Sequence, residues 1–276
     1  MTSNSPPVPK PQKPPKAGAL RLNRLVLGFS RHWVMIAAVI VGIYASLPLV
    51  TPVLMEIGFT PARVFYTLYA PFCHQFGFRS FFTFGDQAVY PRAIAGTDQV
   101  SFEAYAVNEP EFLSSYDYWY RRYHNDQPPP QPVTVESLAT TFTPWFQFAS
   151  KDFIGSETMG YKTTLCVRDV AIYGAIFLGI ILYSRPFVRR RLRPVPLFLY
   201  LFLGVLPIAL DGGTQLLGYP PFNWWPPRET IPIFRVITGA LFGIMTAWLA
   251  LPYFDASMQE TRHNLEMKFR KAGLDP

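Results

Sequence analysis

Four long apolar stretches constrain this chain more than any other feature. Residues 33–57 carry Glu56 as their single charge, residues 170–183 and 196–210 carry none, and residues 231–253 carry only Arg235. A bilayer-spanning helix needs about 17–25 mostly apolar residues. The two shorter stretches reach that length by borrowing Leu165 and Cys166, or Pro194 and Val195, from their flanks. The pattern predicts an all-α membrane protein with four transmembrane helices. Composition agrees: the 276 residues are 50% hydrophobic and only 16% charged, against roughly 25% charged residues in average usage. That balance argues against a water-soluble enzyme, and two cysteines are too few for a disulfide-dense scaffold.

Charge sorts by segment. Residues 1–32 carry Lys10, Lys13, Lys16, Arg21, Arg24 and Arg31 with no acid, and the loop between the second and third spans carries Arg185, Arg189, Arg190, Arg191 and Arg193 with no acid. Both segments are expected inside by the positive-inside rule. An even number of spans then puts both termini in the cytoplasm. Residues 83–163 hold ten acids against five bases, net −5, and are expected outside; the rest of the chain holds +12 of the total +7. The basic excess is thus a matter of topology, and nucleic acid is not an expected partner.

These readings divide the chain into five parts. Residues 1–32 are expected to be a disordered Pro/Lys-rich cytoplasmic tail, and residues 33–57 the first span, too long for the apolar core of a cleaved signal peptide. Residues 58–165 are expected to form an extracytoplasmic region between spans one and two, with an interfacial helix over 63–69 and an inserted cap of mixed or irregular structure. Such a length is rarely left structureless in a compact domain. Residues 166–253 supply spans two to four, and 254–276 a cytoplasmic C-terminal helix.

The polar residues in the most demanding surroundings fall at the outer ends of the spans. They are His74, Gln75, Arg79, Arg168, Asp169, Asp211, Gln215 and Arg235, with Arg228 and Glu229 nearby. Ionisable groups in or beside a span are costly and usually pair in a bundle interior, so these residues are the candidate polar pocket. An Asp211–Arg235 ion pair between adjacent spans is sterically natural, as a clamp or as part of a ligand site. Cys73 and Cys166 flank the cap on the side expected to be oxidising, which predicts a disulfide. The alternative is a metal site of Cys73, His74, Cys166 and Asp169, the last two at i and i+3. Asp211-Gly-Gly-Thr-Gln215 reads as a turn after the third span and lacks the spacing of a phosphate-binding loop. Gly239 and Gly243 form GxxxG, which lets another helix approach closely.

Taken together, Pro71-Phe-Cys-His-Gln75 with Arg79, Cys166-Val-Arg168, Asp211-Gly-Gly-Thr-Gln215 and Arg235-Val-Ile-Thr-Gly239 resemble a prokaryotic integral-membrane family, domain of unknown function 2085, over about residues 62–253. The resemblance implies fold and topology and carries no activity with it. Many relatives have a short connection between the first two motifs, where this chain places about 80 residues, which implies the inserted cap. Many also resemble CxRCxG, where this chain has Asp169 and Ala171.

Two functions follow as expectations. One is a non-catalytic accessory or assembly subunit of a larger membrane complex, motivated by the GxxxG face, the aromatic cap and the lack of a catalytic set. The other is a membrane enzyme or a small-ligand or metal-binding protein that uses the outer pocket. Expected partners are membrane lipids and other membrane-protein subunits, in the plasma membrane of a prokaryote. No cofactor is expected, with a metal ion as the open alternative.

Overall fold

The computed structural model describes residues 17–140 and 142–275 of the chain. Among these it is mostly helical, with one small sheet. Helix α1, Ala17–Glu56, runs 40 residues, so residues 17–32, expected as disordered tail, are its first turns, while residues 1–16 lie outside the described residues. Hydropathy marks the lipid-length part of a helix and is blind to the rest. The extension is held by packing, since Leu27 is buried against Leu265 and Phe269, and by an Arg31–Glu266 ion pair. Near the other end of α1, Pro48 lacks the N–H that would bond the Tyr44 carbonyl. That carbonyl accepts from the Tyr69 hydroxyl instead, at 2.7 Å.

The chain then turns through Thr60–Ala62 into α2, Arg63–Tyr69, the short helix expected from the sequence. Beyond it lies the region expected to form a cap. It holds strand β1, Ser80–Thr83, helices α3, Phe102–Ala106, α4, Pro110–Tyr123, α5, Val135–Ala139, and α6, Pro144–Asp152, then strands β2, Gly155–Ser156, and β3, Gly160–Cys166. The strands form an antiparallel sheet in the order β1-β3-β2, with Ser80 opposite Cys166 and Phe82 opposite Lys162. The cap has its own core, in which Phe78, Phe102, Phe112 and Phe146 are buried together in stacked and edge-to-face pairs. Arg92 and Glu103 form a buried ion pair within it.

From β3 the chain passes directly into α7, Val167–Tyr183, and on to α8, Pro186–Arg191. Next, α9, Leu197–Leu199, a π-helical stretch, Tyr200–Val205, and α10, Leu206–Leu217, run on as one helix, Leu197–Leu217. The wide π turns precede Pro207, where the missing donor and the ring would otherwise disturb a regular helix. Asp211 to Gln215, read from the sequence as a turn, are helical. Two adjacent glycines weaken a helix, but Gly212 makes room here: a Cβ on it would stand 3.1 Å from an Arg168 guanidinium nitrogen. Last comes α11, Pro232–Lys271, again 40 residues, so the expected separate C-terminal helix is its continuation.

Among the described residues three helices, Ala17–Glu56, Leu197–Leu217 and Pro232–Lys271, are long and apolar enough to cross a membrane. Helix α7, at 17 residues, packs against α1 and α11. The α11 contact runs through Gly239 and Gly243. A Cβ on Gly239 would meet the Arg168 carbonyl oxygen at 2.6 Å, and one on Gly243 would overlap the Ile172 carbonyl oxygen. The GxxxG pair is therefore used inside the chain, and the motive it lent to an external subunit contact falls away. The outer faces are apolar: Met35, Val39, Ile40 and Ile43 of α1 and Phe198 and Phe202 of the third long helix are more than half exposed. Patches of that extent belong against lipid.

Candidate functional site

The site forms where the cap meets the bundle, and it is built first from the loop after α2. Gln75 sits at φ 57°, a left-handed conformation that costs a non-glycine residue energy unless its surroundings impose it. Here they do: its buried side-chain Nε2 donates to the carbonyls of Tyr66 and Thr164 at 2.8 and 2.9 Å. Its own carbonyl accepts from Lys162 Nζ at 2.7 Å. Lys162, fully buried on β3, also donates to the Ser150 and Lys151 carbonyls, one acceptor for each ammonium hydrogen. Burial pushes its pKa down to about 7. Lys162 and Gln75 thus clamp the Cys73-His74-Gln75 loop to the sheet.

The curl of this loop aims backbone donors at sulfur. Cys73 Sγ accepts from the Gln75 N–H at 3.4 Å and from the Cys166 N–H at 3.2 Å. Cys166 caps the N-terminus of α7 without a side-chain cap bond; its Sγ donates to Asp169 Oδ2 at 3.1 Å. The ligand atoms of Cys73, Cys166 and Asp169 lie within 4.8 Å of one another. The expected Cys73–Cys166 disulfide is not formed: both cysteines are free, each sulfur engaged in the hydrogen bonds just described. The neighbouring Cys166 thiol, through its side chain, together with burial, pushes the Cys73 thiol above its ordinary pKa. His74 does not join this cluster. Its ring packs at 5.3 Å from that of Phe76, and burial, with Arg79 and Lys151 nearby, lowers its pKa.

A second network carries the charges. Glu229 is buried and accepts from Arg79 Nε and Nη2 at 2.6 and 3.0 Å, from the Tyr219 hydroxyl at 2.9 Å, and from Arg235. Burial alone would raise its pKa, but the Arg79 and Arg235 guanidiniums outweigh that and hold it at about 2. Arg168 pairs with Asp211, to which Arg228 also lies close, at 3.7 Å. The sequence-expected Asp211–Arg235 pair is therefore replaced by two others. Asp211 lies mid-helix facing Arg168 on the first turn of α7, while Arg235 reaches back to Glu229 and to Gln215 Oε1 at 3.0 Å.

Between these networks lies a pocket of about 1090 Å³ lined by Cys73, His74, Gln75, Arg79, Cys166, Arg168, Asp169, Gln215 and Arg235, with Phe142, Tyr219 and the glycines Gly212 and Gly213. Asp211 stands behind Arg168 and does not line it. Among the described residues, Gln215 Nε2 and Arg168 Nε are buried without a hydrogen-bond partner. Sequence reasoning found the polar lining but missed Lys162, whose one signal is a lysine set among the short residues of β3. It also passed over the hydroxyl of Tyr219, which belongs to the Glu229 network. It also missed Asp255 at the opposite end of the bundle. That buried carboxylate accepts from Trp33 Nε1 at 3.0 Å, Gln259 Nε2 at 2.8 Å, the Tyr183 hydroxyl at 3.3 Å and Arg189. Its signal was an acid just beyond an apolar stretch, with an arginine cluster available to it.

Comparison with known proteins agrees on a membrane protein. An uncharacterised protein of Methanocaldococcus jannaschii, MJ1492, is 33% identical over 96 residues, which are 34% of this chain. The chain spans about half the length of that relative, 55%. No solved structure matches the chain. Residues 157–249 match the model of the family DUF2085, described as a predicted membrane protein, so the resemblance read from the motifs holds for the part of the chain that carries α7, the Leu197–Leu217 helix and most of the apolar part of α11.

Proposed function

We propose that the chain is a four-span membrane protein that binds a small anionic group in the pocket between bundle and cap. In this reading α7 is the fourth span, both termini are cytoplasmic, and the cap and pocket face outside, in the plasma membrane of a prokaryote. The topology is supported by the basic residues Arg185 to Arg193 at the end of α7 away from the cap, and by the net negative charge of residues 83–163. A reporter fused to the C-terminus and active only outside the cytoplasm tests it: an inactive reporter is expected, and an active one reverses the orientation.

The observation that carries the ligand reading is the way the pocket divides its charges. Arg79, Arg168 and Arg235 line it with one carboxylate, Asp169, while the arginines' own partners Glu229 and Asp211 lie behind the lining. Two buried N–H donors, on Gln215 and Arg168, are left over. Buried donors normally have partners, and an anion with two acceptor oxygens would supply them. His74, with its lowered pKa, adds a neutral ring at pH 7. The test is thermal unfolding of the full-length protein in detergent with inorganic phosphate or short carboxylates, against chloride at matched ionic strength. A rise in Tm that Gln215→Leu removes is expected. No rise with any of these anions would overturn the reading.

A further inference from the structure

We infer that Cys73, Cys166 and Asp169 form a three-ligand site for a soft divalent transition metal of the zinc type, with the fourth coordination position open to the pocket. The three ligand atoms already converge within 4.8 Å, although the chain brings them from two segments 93 residues apart. A tetrahedral zinc ion holds two sulfurs about 3.8 Å apart, from Zn–S distances near 2.3 Å. An inward shift of at most about an ångström therefore suffices.

The surroundings of Cys73 provide an independent observation. A neutral thiol sulfur is a weak acceptor, yet two backbone N–H groups point at this one. One of them is held there by a residue kept at positive φ through three hydrogen bonds. Amide donors directed at a sulfur suit a metal-bound thiolate, whose charge they share. Cys166 and Asp169, at the first turn of α7, also place negative ligands where the helix dipole favours them. Two sulfurs and one carboxylate select zinc-class ions over calcium or magnesium, which take oxygen ligands. All three residues line the pocket, so a metal here keeps a position open to it rather than closing it with a fourth side chain, the arrangement of sites that carry an exchangeable water.

This site does not rest on the anion reading, and it is read in buffer without added oxyanions, so either can fail alone. The full-length protein, purified in detergent and reduced, is titrated with Co²⁺ and then Zn²⁺. The expected result is one Co²⁺ per chain with sulfur-to-cobalt charge-transfer absorption, displaced by one equivalent of Zn²⁺. Cys166→Ser should weaken that absorption and lower affinity at least 10-fold, and Asp169→Asn should lower affinity while leaving the charge-transfer band. His74→Gln should change neither. Absence of the band in the reduced wild-type protein overturns the proposal whatever the variants do, as does a band unchanged in both Cys73→Ser and Cys166→Ser.

Discussion

The two ends of the helix bundle each bury a carboxylate against arginine, one arginine at Asp255 and two at Glu229, and they differ in what is left over. At the end away from the cap, Asp255 gathers Trp33, Tyr183, Arg189 and Gln259. None of these donor atoms is among the buried polar atoms left without a partner. At the cap end, Glu229 is as well satisfied, yet beside it Gln215 Nε2 and Arg168 Nε remain unpaired next to a large pocket. A closed network holds helices together. An open one has donors to spare. The difference separates a closed structural knot from the proposed site, although each is centred on a buried carboxylate held by arginine.

That contrast can be broken most forcefully at its closed end. Asp255→Ala leaves Arg189 and the Trp33 indole without their acceptor and should cost about 3–5 kcal/mol, seen as collapse of membrane abundance. Near-normal abundance would mean the knot is not structural. Gly243→Leu drives a side chain into the Ile172 carbonyl and should cost about 1–3 kcal/mol. It should also weaken anion binding, because α7 carries Arg168; unchanged binding would separate helix packing from the pocket. Acid offers a third handle. With Glu229 held at about 2 against an ordinary 4.5, its contribution to stability is complete above about pH 4.5 and fades as pH falls toward 2. Glu229→Gln should flatten that part of a denaturation profile, and an identical profile would show the carboxylate to be idle. Gln215→Leu removes an unpaired donor along with its bonds to Arg235 and Thr230. Its net stability effect should stay within about 1 kcal/mol while anion binding is lost. Arg31→Gln, at a half-exposed pair, should cost less than about 1 kcal/mol.

Much of the bundle was legible because lipid enforces a simple rule on sequence. Length and apolarity located the stretches, and the glycines of α11 announced a close helix contact. The rule fails where protein, not lipid, is the neighbour. Residues 17–32 look like tail because their helix is held by Leu265 and Phe269, more than 230 positions away. Asp211 to Gln215 look like a turn because nothing local reveals that Gly212 leaves room for Arg168. The membership of the pocket was readable, since charged residues beside spans are few, but the pairing was not. Whether Arg235 meets Asp211 or Glu229 depends on helix rotation, which a sequence does not state. The cap was visible only as length and aromatics, because Lys162 and Gln75 act through backbone carbonyls that carry no residue identity.

The shortness of α7 has a consequence of its own. Seventeen residues rise about 26 Å, less than the roughly 30 Å of a bilayer's hydrocarbon. If α7 spans, the lipid must thin around it or draw its flanking residues inward. Arg168 and Arg185, one near each end, fix how far that can go. The mouth of the pocket would then lie level with the headgroups, and the spacing between Arg168 and its partners would vary with membrane thickness. Lipid chain length thus becomes a variable to which the binding strength of the site should respond.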